Sequence, residues 1–161
     1  MLRLRSLDSR IHVVARQIHE IQMAAYAQEA AFLGLARFPP MERTVEDLVQ
    51  DADAFLGAFE DEKLVGTLSV RPDEEGCGVN ISALVVHPAH QRRGVGRALM
   101  DAATGAHGSS GMTVQTAAAN APALALYARF RFTEYRRWFV GPELLELVKL
   151  KRESAPVQSA A

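Results

Sequence analysis

The chain has 161 residues, 48% of them hydrophobic and 23% charged, with a formal net charge of −1 at pH 7. These values are typical of a soluble globular protein of one domain and give no reason to expect nucleic-acid or membrane partners. The single cysteine, Cys77, excludes an intramolecular disulfide and favours a cytoplasmic location. The sequence contains neither an apolar run long enough to span a membrane nor the apolar centre of a secretory signal at its start.

The N-terminal region predicts one strand followed by one long helix. Residues 2–7 alternate apolar and polar side chains, which predicts a half-buried strand. Apolar side chains recur at helical spacing over residues 10–33, and this pattern predicts an amphipathic helix. Asp8 or Ser9 is the expected N-cap of this helix, because short polar side chains bond the first free amides.

A break and a short helix come next. Pro39 and Pro40 prevent the helix from continuing through residues 34–43. Thr44 is expected to cap a short helix that reaches about Asp51.

The middle of the chain predicts an antiparallel meander, because polar turns separate three short apolar segments. The predicted strands are residues 54–59, 63–70 and 81–86. The acidic side chains of the second turn, Asp73, Glu74 and Glu75, are interpreted as solvated charges.

The segment after the third of these strands combines glycine with arginine. Pro88 ends the strand, and Gly94 and Gly96 open a helix. The first turn of a helix has free amides, and glycine lets an anion approach the backbone closely. Three arginines, Arg92, Arg93 and Arg97, add charge that pairs with phosphate oxygens. The pattern therefore indicates a pyrophosphate-binding loop, although an ordinary strand–turn–helix connection has the same glycine spacing.

The C-terminal third predicts a strand, a helix and a hairpin. Residues 112–116 form the strand, and Asn120 is expected to cap the next helix, which has Pro122 in its first turn. Residues 133–140 and 144–151 are expected to form a hairpin, followed by a flexible tail over residues 153–161.

Two segments of the sequence resemble the GNAT superfamily of N-acetyltransferases. Val85-Val86-His87-Pro88 followed by Gln91-Arg92-Arg93-Gly94-Val95-Gly96-Arg97-Ala98-Leu99 resembles the cofactor-binding signature of that family. Residues 120–132, NAPALALYARFRF, resemble its Asn-x-x-Ala-x-x-Leu-Tyr-x-x-x-Gly-Phe segment. The two segments occur in the family's order, separated by one helix and one strand.

The resemblance implies a fold of the α+β class. It predicts a mixed, mostly antiparallel sheet with flanking helices, formed by one acyl-CoA-binding domain over residues 1–152. Strands 81–86 and 112–116 are then central, parallel and splayed apart. Pantetheine amides would bond to the strand backbone exposed by the splay, as an added strand does.

The resemblance also implies the site residues and the co-substrate. Acetyl-CoA would donate its acetyl group directly to an amine acceptor, a small molecule or a peptide, in a ternary complex without metal. Tyr127 would act as general acid toward the CoA thiolate, and Tyr26 and Phe32 are candidates for the acceptor pocket or for ordinary core packing. The expected acetyl-CoA-binding residues are Leu84, Val85, Val86, Gln91, Arg92, Arg93, Gly94, Val95, Gly96, Arg97 and Asn120.

The sequence departs from the family at two places. Many relatives hold a glutamate on or beside the strand that precedes the loop, but residues 81–86 contain no carboxylate. The base is therefore left to a water chain, to Glu75 if its turn folds over the site, or to another part of the chain. Arg131 replaces the family's glycine after the second motif, so either the helix exit is reshaped or the arginine contacts a ligand.

Two other functions stay open. The missing strand carboxylate favours a non-catalytic module with the GNAT fold that senses acyl-CoA or binds another protein. A phosphate-binding regulatory domain of another fold would prefer ATP to acetyl-CoA. The resemblance further allows a homodimer paired through the C-terminal strands. His87 and His90 flank Pro88, but the absence of nearby cysteines or clustered carboxylates argues against a metal site.

Overall fold

A computed structural model describes residues 1–76 and 78–154. Cys77 and residues 155–161 of the expected tail lie outside the described residues. The helices are α1 (His12–Leu33), α2 (Val45–Val49), α3 (Val95–His107) and α4 (Ala121–Arg129). The strands are β1 (Leu2–Leu7), β2 (Ala54–Glu60), β3 (Lys63–Pro72), β4 (Val79–Val86), β5 (Met112–Ala117), β6 (Thr133–Val140) and β7 (Leu145–Arg152).

The strands form one seven-stranded mixed sheet in the order β1-β2-β3-β4-β5-β7-β6. The pairs β1–β2, β2–β3, β5–β7 and β6–β7 are antiparallel. β4 and β5 run parallel, and their register joins residues 79–81 to residues 112–114. The predicted fold class, α+β with a mostly antiparallel sheet and a central parallel pair, is confirmed.

The described chain divides into two compact units. Unit 1 comprises Met1–Arg71 and Ser82–Leu99, and unit 2 comprises Pro72–Ile81 and the chain from Met100 onward. No helix of the described chain is both long and apolar enough to cross a membrane.

The core of unit 1 lies under α1. The apolar face of this helix packs with side chains from α2, β2, β3 and β4, because its buried residues recur every three or four positions. The buried members are Ala15, Ile18, Ile21, Ala25, Leu48, Phe55, Leu64 and Val85. Gly34 ends α1 in the left-handed conformation with φ 66°, which glycine adopts without a Cβ clash. Thr44 caps α2 and forms a capping box with Asp47, so the predicted cap is confirmed.

The predicted N-cap of α1 was wrong. The helix begins at His12, and its N-cap residue is Ile11, which has no capping side chain. Asp8 instead accepts hydrogen bonds from the Arg10 amide and guanidinium at 3.0 Å each. The Asp8 carboxylate therefore closes a turn that precedes the helix, a local arrangement that competes with capping.

The interpretation of Asp73 as a solvated charge was also wrong. Its side chain is 1% exposed, and Oδ1 accepts from Lys149 Nζ at 3.0 Å and from Thr113 Oγ1 at 2.7 Å. Burial is the largest single influence and opposes the charged form of Lys149, but the interactions with Asp73 and Tyr135 together outweigh it, so the pKa of this ammonium lies above its usual value. Asp73 thus anchors the turn between β3 and β4 to β5 and β7.

Replacement Asp73→Asn is expected to lower the free energy of unfolding by about 2 kcal/mol, because it removes the negative charge that compensates the buried ammonium. Glu75 Oε1, 3.5 Å from Lys149 Nζ, is a longer and more exposed carboxylate contact. Because the pKa of Lys149 is raised in the folded protein, the Asp73–Lys149 ion pair stabilises the protein at neutral pH. This stabilisation is lost as the pH rises above 10.5. Urea denaturation measures the change, with exposed Glu74→Gln as the matched control; equal stabilities of the two variants would contradict the anchor.

Candidate acetyl-CoA site

At the end of β4, the backbone N–H and C=O groups of successive residues point alternately toward β3 and away from it. The Val85 carbonyl points toward β3, since a Cβ added to Gly66 would lie 3.1 Å from Val85 O. The His87 amide also points toward β3 and donates to Val65 O at 2.8 Å. Because neighbouring residues of a strand alternate, Leu84 and Val86 direct their backbone groups away from β3. Of the three predicted strand residues, these two can hydrogen-bond a ligand through the backbone.

The loop that follows has a strained backbone. Arg92 has φ 63° and Gly94 has φ 80°, both in the left-handed region. This conformation costs a non-glycine residue about 1–2 kcal/mol, and such strain is concentrated at ligand-binding segments. A Cβ added at Gly94 would have no atom within 4 Å. The backbone at Gly94 is therefore open on the side where a side chain would stand.

The loop leads directly into the first turn of α3. Its first intrahelical bond runs from the Ala98 amide to Gly94 O at 3.0 Å, so the amides of Val95, Gly96 and Arg97 precede the hydrogen-bonded ladder. Val95 is 2% exposed and packs closely against β3, where a Cβ on Gly66 would lie 2.9 Å from Val95 Cγ1. This packing fixes the helix end whose dipole favours an anion.

Polar side chains tie the loop to the rest of unit 1. Gln91 Nε2 donates to Gln28 Oε1 of α1 at 2.7 Å and to Val86 O at 3.2 Å. Glu60 Oε2 lies 3.0 Å from His90 Nδ1 and 3.5 Å from Arg93. The guanidinium groups of Arg92, Arg93 and Arg97 belong to exposed residues, as phosphate binding from solvent requires.

Two aromatic residues in the C-terminal part of α1, Tyr26 and Phe32, are the candidates for the acceptor pocket or for core packing. The Tyr26 ring contacts Phe38 edge-on at 5.8 Å, and burial together with the nearby Glu29 charge raises the pKa of Tyr26 to about 12. Phe32 is 61% exposed, so of the two candidates for core packing only Tyr26, which is partly buried, packs against the core of unit 1.

The second motif forms α4 in unit 2. Asn120 Oδ1 accepts from the Ala123 amide at 3.2 Å, so its predicted role as N-cap is confirmed. Tyr127 is 5% exposed, and its ring contacts Phe132 at a centroid distance of 5.9 Å. Burial of this ring fixes the direction of the side chain on its helix.

The exit of α4 keeps the left-handed turn although arginine replaces glycine. Arg131 has φ 66°, its amide bonds to Ala128 O at 3.1 Å, and the Phe132 amide bonds to Tyr127 O at 3.1 Å. These two bonds and the Tyr127–Phe132 contact make a Schellman motif. The exit is therefore not reshaped, and its geometry holds Tyr127 in place.

Replacement Arg131→Gly is expected to raise the melting temperature by about 2 °C, because it removes a strain that exceeds the extra chain entropy of glycine. Scanning calorimetry measures the change. Arg129→Gly at the end of the helix provides the control and should lower the melting temperature, since helical glycine costs about 1 kcal/mol. A lower melting temperature for Arg131→Gly would show that the arginine side chain stabilises the exit.

A buried carboxylate beside β4 has no signal in the sequence. Asp53, immediately before β2, accepts a hydrogen bond from Ser82 Oγ at 2.5 Å, and its side chain is 5% exposed. The partners are 29 residues apart, so no local pattern joins them. Within the described residues, no group of three or more histidine, cysteine, aspartate or glutamate side chains is placed to hold a metal ion.

Comparison with known proteins places these features in a family. The sequence profile of the acetyltransferase (GNAT) family matches residues 15–132. The UPF0157 protein YqkA of Bacillus subtilis (strain 168) is 32% identical over 120 residues, which are 74% of this chain and 34% of that protein. The chain thus spans about a third of the length of this curated relative.

Solved structures share the fold at low identity. The ribosomal-protein-S18-alanine N-acetyltransferase of Escherichia coli superposes with a TM-score of 0.75 and 16% identity over 100% of both chains. The PaiA N-acetyltransferase of Thermoplasma acidophilum, in complex with coenzyme A, gives 0.72 and 14%, covering 96% of this chain and 99% of that one. YncA of Salmonella typhimurium, with acetyl-CoA, gives 0.70 and 17%, covering 99% and 98%. Because the family profile spans most of the chain, including the β4–α3 loop and all of α4, the protein belongs to the GNAT family of acetyltransferases.

Proposed function

We propose that this protein transfers an acetyl group from acetyl-CoA to an amine acceptor, a small molecule or a peptide. The observation that carries the proposal is the strained loop over residues 91–94, which opens at Gly94 onto the free amides of α3. Two solved proteins of the same fold were crystallised with coenzyme A or acetyl-CoA, which supports the choice of ligand.

The loop and strand offer the contacts that acetyl-CoA needs. The amides of Val95, Gly96 and Arg97 would bind the pyrophosphate together with the exposed guanidinium groups of the loop. The backbone of Leu84 and Val86 would bond the pantetheine amides as an added strand does. Asn120, which caps α4, would also contact the co-substrate.

Acetyl-CoA supplies an activated acyl group, so the chain needs no nucleophile of its own. A strand amide at Leu84 or Val86 would stabilise the charge that develops on the thioester oxygen. Tyr127 would hydrogen-bond the departing sulfur. Its reference pKa of about 10 exceeds the value of about 8.5 for a thiol, so a hydrogen bond that strengthens as sulfur leaves describes its role better than full proton transfer.

Release of free thiol from acetyl-CoA tests the proposal. The full chain would be incubated with acetyl-CoA and a panel of primary amines, polyamines and peptides with free N-termini, and thiol would be measured against a blank without acceptor. Amine-dependent release accompanied by N-acetylated product is the expected result. Binding of acetyl-CoA without transfer to any amine would instead favour the acyl-CoA-sensing alternative, which the lack of a carboxylate among the residues of β4 supports.

A further inference from the structure

A hydrogen-bonded chain of three side chains links β4 to the start of β2. Ser82 Oγ donates to Asp53 Oδ2 at 2.5 Å, and Ser69 Oγ lies 2.7 Å from Ser82 Oγ. The Arg71 guanidinium contacts Asp53 at 2.8 Å and holds the carboxylate in place. We call Ser69, Ser82 and Asp53 the serine–aspartate chain. All of its members belong to unit 1.

The carboxylate sets the direction of every hydrogen bond in this chain. Beside a guanidinium, Asp53 accepts and does not donate, so Ser82 gives it its single hydroxyl hydrogen. Ser69 must therefore be the donor in its contact with Ser82. A hydroxyl oxygen accepts twice, and one lone pair of Ser82 remains after the bond from Ser69. Ser82 is thus prepared to accept one more N–H or O–H donor.

Ser82 lies on the strand that carries the proposed thioester contacts. It precedes Leu84 by two residues, which is about 7 Å along an extended strand. Thr67, two residues before Ser69 on β3, is 1% exposed, and its hydroxyl has no hydrogen-bond partner among the described residues. A buried hydroxyl without a partner indicates a position that a ligand or water completes. The Thr67 hydroxyl on β3 therefore continues the row of polar groups that Ser69 and Ser82 form.

The other end of the chain meets solvent. Asp53 lines an open cleft of about 650 Å³, whose remaining lining comes from residues 6–10 and 49–52. Polar side chains, including Asp8 and Gln50, form part of its wall. A proton that reaches Asp53 therefore has a route to water.

We propose that the serine–aspartate chain removes the proton that the acceptor amine must lose, and this inference rests on the proposed function. The acceptor's N–H proton moves to Ser82 Oγ while the Ser82 hydroxyl proton moves to Asp53, which later releases it to water in the cleft. The neutral amine nitrogen then forms the C–N bond, the C–S bond breaks, and the second proton that the nitrogen loses passes to the CoA thiolate. Ser82 is the catalytic residue of this step, and Ser69 and Arg71 position it and Asp53.

The test compares amines of different basicity. An alkylamine arrives mostly as ammonium at neutral pH and needs a base, whereas the weakly basic hydroxylamine arrives neutral. Variants Ser82→Ala and Asp53→Asn should lose about 30-fold in kcat with an alkylamine acceptor, and less than about 3-fold with hydroxylamine. Ser82→Thr retains the hydroxyl and should restore most of the rate. Ser110→Ala removes a serine hydroxyl that bonds the His107 carbonyl, outside both the chain and the cleft, and should change neither rate.

The acetyl-CoA affinity and the melting temperature of each variant distinguish a failure of the proton route from a failure of the proposed acetyl transfer. Unchanged acetyl-CoA affinity with the selective loss of alkylamine turnover is the expected result. Equal losses with both amines, or no loss with either, would overturn the proton route while leaving acetyl transfer intact. If the unmodified protein transfers acetyl to no amine, the proposed function fails and the proton route fails with it.

Discussion

Replacement Gly94→Asp is expected to weaken acetyl-CoA binding by at least about 100-fold, because a carboxylate would stand where the pyrophosphate binds. A Cβ added at Gly94 has no protein atom within 4 Å, so the new side chain does not clash with the protein there. Loss of affinity would then come from like charge and from competition for the α3 amides. Isothermal titration calorimetry with acetyl-CoA at low ionic strength measures the effect, since salt screens it.

Gly141→Asp is the matched control for this substitution. Gly141 has φ 70° and nothing within 4 Å of an added Cβ, so an aspartate there would meet the same backbone strain and the same open space as at Gly94. It lies in the turn between β6 and β7. We expect similar destabilisation from both substitutions but loss of acetyl-CoA affinity only from Gly94→Asp. Unchanged affinity in that variant would remove the loop from the site.

Replacement Tyr127→Phe is expected to lower kcat by at least about 100-fold while leaving acetyl-CoA affinity within about 2-fold, because the variant loses the proposed hydrogen bond to the leaving sulfur, which strengthens in the transition state. The ring remains, so the contact with Phe132 that supports the exit of α4 is retained. Steady-state thiol release and calorimetric binding measure the two quantities separately.

Tyr135→Phe on β6 controls for the loss of a tyrosine hydroxyl from the same unit. Its turnover should match that of the unmodified protein. A Tyr127→Phe variant with full turnover would show that another group assists the leaving thiolate. A parallel fall in affinity would instead place the Tyr127 hydroxyl in ground-state binding of the co-substrate.

The sequence predicted the elements well where the signals are local. Apolar spacing identified α1, the proline and glycine punctuation identified the turns, and Thr44 and Asn120 were recognised as caps. The fold class followed from two motifs whose family resemblance the family comparison bears out. The roles of the individual site residues stay predictions, because local pattern does not place a side chain against a ligand.

The remaining features depend on contacts between distant segments. The sequence around Asp73 predicts only a turn residue, because its partner Lys149 lies 76 residues later in the chain. The link between Asp53 and Ser82 is equally invisible in the sequence, because each residue is ordinary in its own segment. At α1, Asp8 satisfied its hydrogen bonds with Arg10 and was unavailable as a cap. Long-range pairing and competing local hydrogen bonds therefore limited the sequence-based prediction.

The melting temperature with and without ligand tests the central claim most directly, because a ligand that binds only the folded state must raise it. Acetyl-CoA, free CoA and ATP would each be added at the same concentration to the full chain. We expect a rise in melting temperature with acetyl-CoA and CoA and none with ATP, and loss of that rise in Gly94→Asp. No rise with acetyl-CoA, or an equal rise with ATP, would contradict an acyl-CoA site at the β4–α3 loop.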